Sequence, residues 1–266
     1  MHETRIAPVE AALEIFHARH AGARVMFLAG SVMRGEATPS SDLDLVVVYE
    51  HIPNAYRESF MHRGWPVETF VNDTETLDYF LREGDPASGF PAMANMVREG
   101  HEIPAPCELS QTLKRLAAEV LAAGPPVLSD EELRGKRYHL TDRVDDIRHP
   151  RNDAELVAVG AQMYDAAADF YLRSRGHWSA NGKAIPRRLR EADADFAARF
   201  CAAFEMLFGE KRPREVVALV EEILAPFGGF LFDGYKLDAP DDKRKPSGHK
   251  PNSSGDRQQP PGEGDV

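Results

Sequence analysis

The sequence predicts an α/β (α+β) domain followed by an α-helical domain. Between about residues 24 and 104, apolar runs of strand length alternate with stretches in which apolar residues recur every three or four positions. From Leu109 onward only the helical spacing continues, and glycine and proline interrupt it at intervals. Domain bounds are therefore predicted at 1–106 and 107–239, with a tail at 240–266.

The elements follow from local patterns. Short apolar runs rich in β-branched residues indicate strands, and amphipathic spacing with capping residues indicates helices. In the first domain, helices are expected at Pro8–His20, from Asp73 and at 90–98, and strands at 24–29, 43–48, 65–71 and within 101–106. In the second domain, helices are expected at Leu109–Ala123, Asp130–Arg148, Ala154–Arg175, Pro186–Phe208 and Arg214–Leu224.

A glycine turn after the first strand suits phosphate. Gly30 ends the strand, and Ser31 is a good helix N-cap, so a helix start would direct backbone N–H groups and its positive end to one point. Arg34 follows three residues later, and its guanidinium is a charged, forked donor that suits a phosphate. The loop is not a Walker A motif, and the spacing from Gly30 to Gly35 does not fit a dinucleotide fingerprint. The alternative is an ordinary strand-to-helix turn.

Two carboxylates open the next strand. Asp42 and Asp44 are two positions apart, and side chains at that spacing project from the same face of a strand. Close carboxylates raise each other's pKa unless a cation holds them, and Mg²⁺ takes carboxylate and phosphate oxygens. The alternative is an acidic turn in which Asp42 caps the strand.

These features together resemble a known family. Gly30-Ser31, about ten residues and then Asp42-Leu43-Asp44 resemble the signature of the polymerase-beta-like nucleotidyltransferases. The match spans about residues 24–72, includes Ser41, and is most similar to the minimal nucleotidyltransferases. The resemblance implies a short mixed sheet, one or two Mg²⁺ ions on Asp42 and Asp44, and nucleotide binding by Gly30, Ser31, Arg34 and Ser41. The rest of the chain loosely resembles the helical halves of aminoglycoside nucleotidyltransferases.

The family needs a third carboxylate on a neighbouring strand. In the segment from Trp65 to Val71, Glu68 alternates with Val67 and lies on the opposite face. Its place after the Asp-x-Asp pair makes Glu68 the candidate, either as metal ligand or as general base. Glu50, Glu58 and Asp73 are weaker rivals, because they are expected at element ends or on a helix.

The helical half holds two further candidate groups. Asp142 shares a helix face with Asp145 or Asp146, which could bind a cationic acceptor, although such charges are usually solvated. The loop 176–189 could place Lys183 on a triphosphate and Trp178 near a base or sugar. The alternative for the loop is an interhelical turn with Trp178 in the core and its arginines in solvent.

Composition limits the partners. A net charge of −11 disfavours a dedicated nucleic-acid binder and favours a cationic acceptor. No apolar stretch approaches the roughly 18 to 20 residues of a membrane helix, and the N-terminal residues lack a signal-peptide pattern. Two distant cysteines suggest reduced thiols in the cytoplasm.

The tail 240–266 holds 5 Pro, 4 Gly and 3 Ser and is expected to be disordered, because it cannot bury enough apolar surface.

The predicted function is metal-dependent nucleotidyl transfer. An acceptor oxygen attacks the α-phosphorus of a nucleoside triphosphate, expected to be ATP, and pyrophosphate leaves. The acceptor is expected to be a small molecule, with an aminoglycoside-like compound among the possibilities. Two alternatives stay open: an antitoxin or regulatory enzyme that modifies a partner protein, and a catalytically silent binding module.

Overall fold

A computed structural model of the chain describes residues 5–238. Within these residues one mixed sheet has the strand order β3-β4-β2-β1-β5. Its strands are β1 (Val25–Ala29), β2 (Leu43–Tyr49), β3 (Tyr56–His62), β4 (Trp65–Asp73) and β5 (His101–Ile103). β2 and β4 are parallel, and the other neighbouring strands are antiparallel. The predicted mixed sheet is therefore confirmed.

The helices before residue 124 pack on or beside this sheet, and those after residue 124 pack on each other and are called the helical part. They are α1 (Pro8–Arg19), α2 (Thr74–Tyr79), α3 (Asp85–Ser88), α4 (Ala92–Glu99), α5 (Glu108–Ala123), α6 (Asp130–Arg148), α7 (Asp153–Arg173), α8 (Ile185–Ala192), α9 (Ala194–Glu210) and α10 (Arg214–Leu224). A π-helical turn, Phe80–Gly84, joins α2 to α3. The predicted change from alternating elements to helices is confirmed.

The alternation of side chains along β2 sorts them onto the two faces of the sheet. Leu43, Leu45 and Val47 join the cluster that α1 covers. Val46 and Val48 join the cluster beneath α2, α4 and α5. Because successive strand residues point to opposite faces, Asp44 lies on the same face as Val46. A separate cluster, built from α6 to α10, forms the core of the helical part.

Within residues 5–238, those up to Asp233 form one compact unit, which contains both the sheet and the helices, and residues 234–238 belong to a second. The domain boundary between residues 106 and 107 stays a prediction. The disorder expected for 240–266 concerns residues outside the described range of 5–238.

The structure differs from the predicted elements in two places. The single helix expected at Pro186–Phe208 is two helices, because Asp193 is extended and ends α8, and its carboxylate caps α9 by accepting from the N–H of Phe196 at 2.9 Å. β3 was not predicted, because it is an edge strand with mostly exposed side chains and no apolar run. Glu58, expected at an element end or on a helix, lies within β3.

Among residues 5–238, no helix combines the length with the apolar character that crossing a lipid bilayer requires.

Asp193 generates a stability prediction. Replacing it with Ala removes the cap of α9 and the acceptor of the Tyr171 hydroxyl, whose oxygen lies 2.8 Å from the carboxylate. Asp193→Ala should lower the urea midpoint of unfolding, and Asp195→Ala, in the first turn of the same helix, should lower it less. Equal midpoints for the two variants would show that Asp193 does not separate and cap these helices.

Candidate active site

Three carboxylates meet near the N-terminal ends of the neighbouring strands β2 and β4. Asp42 immediately precedes β2, and Asp44 is its second residue. The parallel register pairs Asp44 with Glu68 on β4, which places both side chains on the same face. One oxygen from each of the three carboxylates lies within 4.8 Å of the others, and all three residues are half-buried. The structure therefore brings together the residues that the sequence proposed as metal ligands.

The electrostatics of this cluster favour a bound cation. Burial, followed by the negative charges of Asp42 and Glu68, raises the pKa of Asp44 to about 6. The positive charges of Lys183 and Arg34 act in the opposite direction. One oxygen of Glu68, Oε2, accepts a hydrogen bond from Arg57 at 2.5 Å. Oxygen ligands of this kind, held close together at the expense of mutual repulsion, fit a hard divalent ion such as Mg²⁺.

Gly30 lies directly against the carboxylate of Asp44. Its φ is +84°, a left-handed conformation that favours glycine. A Cβ at this position would lie 2.1 Å from Oδ2 of Asp44, which is much closer than two such atoms can approach. Besides forming the turn, Gly30 therefore leaves the space that the Asp44 carboxylate occupies.

The loop after Gly30 is a series of turns, and the predicted helix start at Ser31 is wrong. The N–H of Glu36 donates to the carbonyl of Ser31 at 2.9 Å, which closes the loop after one turn. The hydroxyls of Ser31 and Ser41 are 3.0 Å apart, and the Ser41 oxygen accepts from the N–H of Thr38 at 2.8 Å. Ser41 is buried, so in this structure it braces the loop. No helix dipole is available at Ser31, and phosphate binding here would rely on turn N–H groups and on nearby cations.

A cleft of about 370 Å³ is lined by Asp44 at the sheet and by residues of the helical part. Its lining includes Gly30, Arg34, Asp44 and Lys183, four of the residues predicted for the site. Ser31, Ser41, Asp42 and Glu68 are not among its lining residues. Arg34 is held by two carboxylates, Glu36 at 3.1 Å and Glu99 at 3.4 Å. The sheet and the helical part both contribute to the cleft walls.

Two arginines and a serine are among the cleft residues that sequence reasoning missed. Arg187 and Arg188, which the alternative interpretation of the loop placed in solvent, line it from α8. Ser179 is 2% exposed and also lines it, and within residues 5–238 its hydroxyl oxygen has no hydrogen-bond partner. The two arginines directly after Pro186 were the available signal. A buried, unpaired hydroxyl cannot be recognised without the fold.

Trp178 packs in the interior. It is 5% exposed, and its indole N–H donates to the carbonyl of Leu121 at 3.0 Å. For this residue the packing alternative is correct, and the placement near a base or sugar is not supported.

The acidic group on α6 is solvated. Asp142, Asp145 and Asp146 are all exposed, and Asp145 pairs with Arg148 at 3.3 Å. None of the three lines the cleft at Asp44, whose lining includes Arg34, Lys183, Arg187 and Arg188. The acceptor-binding role expected for these aspartates stays a prediction without a supporting contact.

Comparison with known proteins gives one family match. Residues 9–83 match the family described as nucleotidyltransferase domain. A solved structure of a nucleotidyltransferase-like protein from Exiguobacterium sibiricum is 14% identical and aligns over 82% of this chain and 74% of that one, with a TM-score of 0.42. At that score the likeness carries no argument about function. No curated protein matches the chain.

Two glycines near the site provide a matched pair of substitutions. Gly30→Ala and Gly35→Ala both place a side chain on left-handed backbone, which costs about 1 to 2 kcal/mol. Only the methyl group at position 30 meets the Asp44 carboxylate, since a Cβ at Gly35 has no neighbour within 4 Å. Calorimetry with Mn²⁺ should therefore show a large loss of affinity for Gly30→Ala and little change for Gly35→Ala. Equal affinities would contradict the close contact.

The raised pKa of Asp44 predicts that removing its charge stabilises the metal-free protein. Above pH 6 the ionised carboxylate is disfavoured in the folded state, because its folded pKa is about 6 and its ordinary value is 3.8. In chelator at pH 7.5, Asp44→Asn should gain on the order of 1 kcal/mol of unfolding free energy, after allowance for solvent screening. The gain should shrink as the pH falls from 6 toward 4, because the parent carboxylate then becomes neutral as well. Urea unfolding at several pH values measures it, and a loss of stability at pH 7.5 would contradict the electrostatic account.

Proposed function

Residues 9–83 belong to the polymerase-beta-like nucleotidyltransferase superfamily, and we propose that the chain transfers a nucleoside monophosphate, AMP from ATP, to a small-molecule acceptor in a Mg²⁺-dependent reaction. The observation that carries the proposal is the juxtaposition of three carboxylates with a cleft whose lining includes the basic residues Arg34, Lys183, Arg187 and Arg188. Transfer at the α-phosphorus needs that combination, because the triphosphate must be neutralised at both its reacting and its leaving ends.

The basic wall is suited to the leaving pyrophosphate. Lys183 and Arg188 line the cleft from the helical part, and Arg34 lines it from the loop after Gly30. Lys183 is exposed and forms no ion pair among the described residues, so its ammonium can turn toward a phosphate without breaking one. Arg188 is 3.0 Å from Glu191, which holds the guanidinium in place.

The cleft also offers positions for the nucleoside. Phe90 and Met96 provide apolar surface, and the unpaired hydroxyl of Ser179 can donate to or accept from a sugar or base. A buried hydroxyl without a partner is unfavourable, and a ligand atom would satisfy it. The cleft volume of about 370 Å³ lies within the usual range for small-molecule sites.

The carboxylates have separate roles in this proposal. Asp42, Asp44 and Glu68 would hold Mg²⁺, which when bound would polarise the α-phosphate and neutralise charge on the departing oxygen. The second oxygen of Glu68 is held by Arg57, so Glu68 is fixed in orientation beside the reacting centre. Proton removal from the acceptor hydroxyl is assigned to this carboxylate or to water bound to it.

Labelled nucleotide tests the proposal and its alternative. The protein, Mg²⁺ and a cell extract are incubated with ATP that carries ³²P at the α or at the γ position. The proposal predicts label from the α position in a new small molecule and label from the γ position only in pyrophosphate. Label from the α position in a protein band would favour the regulatory alternative, in which a partner protein is the acceptor. Transfer of label from the γ position, or full transfer by Asp44→Asn, would contradict nucleotidyl transfer at this site.

Lys183 provides a specific prediction for nucleotide binding. Lys183→Gln removes a charge from the cleft wall and should weaken ATP binding about tenfold, which corresponds to about 1.4 kcal/mol. Arg190→Gln is the matched control, because Arg190 is exposed on α8 and does not line the cleft. Calorimetry in Mg²⁺ measures both variants, and an unchanged affinity for Lys183→Gln would show that Lys183 does not bind the nucleotide.

A further inference from the structure

A second pocket lies beside the proposed reaction centre. It has a volume of about 290 Å³ and shares Phe70 as a wall with the carboxylate cleft. Phe70 is two residues after Glu68 on β4, and both side chains lie on the same sheet face, about 7 Å apart along the strand. A molecule bound in this pocket would therefore have one end close to the Glu68 carboxylate.

The walls of the pocket are apolar and aromatic. Its lining includes Tyr56, Phe70, Phe80 and Met93, and among its lining residues in the described part of the chain there is no carboxylate. Tyr56 is 50% exposed and Phe80 is 38% exposed, so both can contact a ligand. This surface favours a flat, apolar molecule and offers nothing to a polycation.

One buried polar group lines the pocket floor. Asn72 is 2% exposed, and its Nδ2 donates to the carbonyl of Phe70 at 3.2 Å, which fixes the orientation of the amide. Its Oδ1 is buried and accepts no hydrogen bond from any residue that the structure describes. Leaving such an acceptor unpaired is unfavourable, because it has lost its hydrogen bonds to water and gained none in the protein. A ligand N–H or O–H donor would satisfy it.

Arg57 separates this pocket from the carboxylates. It lines the pocket, donates to Glu68 and lies 5.0 Å from the centre of the Phe70 ring. Because its charge is already matched by Glu68, it does not require an anionic ligand. It instead forms the polar end of the pocket, next to the site of transfer.

Building on the proposed function, the geometry points to this pocket as the acceptor site and to an aromatic alcohol as the acceptor class. The ring would lie among Phe70, Phe80 and Met93, with a hydrogen-bond donor on Asn72 and the reacting hydroxyl toward Glu68. In the transfer step, that hydroxyl oxygen forms a bond to the α-phosphorus as the bond between the α-phosphorus and the bridging oxygen breaks. The electron pair leaves with pyrophosphate, and the hydroxyl proton passes to the Glu68 carboxylate.

Two related probes test the assignment. 2-(4-Hydroxyphenyl)ethanol carries a phenol and an aliphatic hydroxyl at opposite ends of one ring, and 2-phenylethanol lacks the phenol. Ligand-observed NMR with the full chain should show millimolar binding of the first probe and about fivefold weaker binding of the second. Asn72→Leu should abolish that difference, because it removes the acceptor of the phenol proton.

Phe80→Ala and Tyr79→Ala form the control pair. Phe80→Ala should weaken both probes at least fivefold, whereas Tyr79→Ala, an exposed neighbour outside the pocket lining, should leave both unchanged. Absence of binding at 10 mM probe, or equal binding to the parent and to Phe80→Ala, would overturn the assignment. If Asn72→Leu does not fold, the Phe80→Ala comparison still decides it.

Calorimetry with ATP and Mg²⁺ on the same samples separates this inference from the proposed function. If the parent binds ATP but the probes do not bind in the pocket, only the acceptor assignment is overturned. If the parent binds the probes but not ATP, the pocket is supported as an aromatic site, and both the nucleotidyl-transfer proposal and the acceptor role that rests on it are overturned.

Discussion

The site depends on the parallel pairing of β2 with β4, which holds three like charges together. Backbone register places Asp44 beside Glu68, and Asp42 is adjacent in sequence. Buried apolar residues on both faces of β2 fix that register, because a slip of one residue would turn Asp44 into the core beneath α1. The burial of these apolar residues therefore offsets the electrostatic repulsion among the carboxylates. A bound divalent ion would relieve that repulsion.

The other parts of the site respond to this cluster. Gly30 has no side chain because the Asp44 carboxylate occupies that space. Lys183 and Arg34 lower the repulsion from opposite sides of the cleft. Since Lys183 comes from the helical part and Asp44 from the sheet, residues 9–83 alone do not contain the whole cleft. The acceptor pocket, by contrast, is lined by residues 55–93.

The pairing of Asp42 with Asp44 could be predicted from the sequence, because a strand places every second side chain on one face and that rule needs no tertiary information. Glu68 was proposed from the resemblance to nucleotidyltransferases, because strand periodicity does not show which strands are neighbours. Lys183 could be proposed because its loop interrupts two helices with small and basic residues. The helix at Ser31 was wrong because the residues that favour N-caps also favour turns. Likewise, Asp193 separates α8 from α9 through a cap that helical periodicity does not reveal. Solvent exposure of the acidic group on α6 was the expected alternative, because charges on a helix face are usually solvated, but whether these aspartates line a cleft depends on how that helix packs.

Oδ1 of Asn72 and the hydroxyl of Ser179, which lack hydrogen-bond partners among residues 5–238, could not have been recognised from sequence, since burial and missing partners are properties of the assembled fold. Both residues lie in walls where a ligand is proposed, one for the nucleotide and one for the acceptor. The carboxylate cluster between the two sites is thus the feature on which both assignments depend.

The most direct test of that cluster is the ionisation of Asp44 with and without metal. Carboxyl carbon NMR of protein labelled at aspartate, assigned with Asp44→Asn, follows its titration. In chelator the pKa should be about 6, and saturating Mg²⁺ should return it toward or below its ordinary range. An ordinary pKa in chelator, or a raised pKa that Mg²⁺ does not change, would contradict the account of a site built to hold a divalent ion.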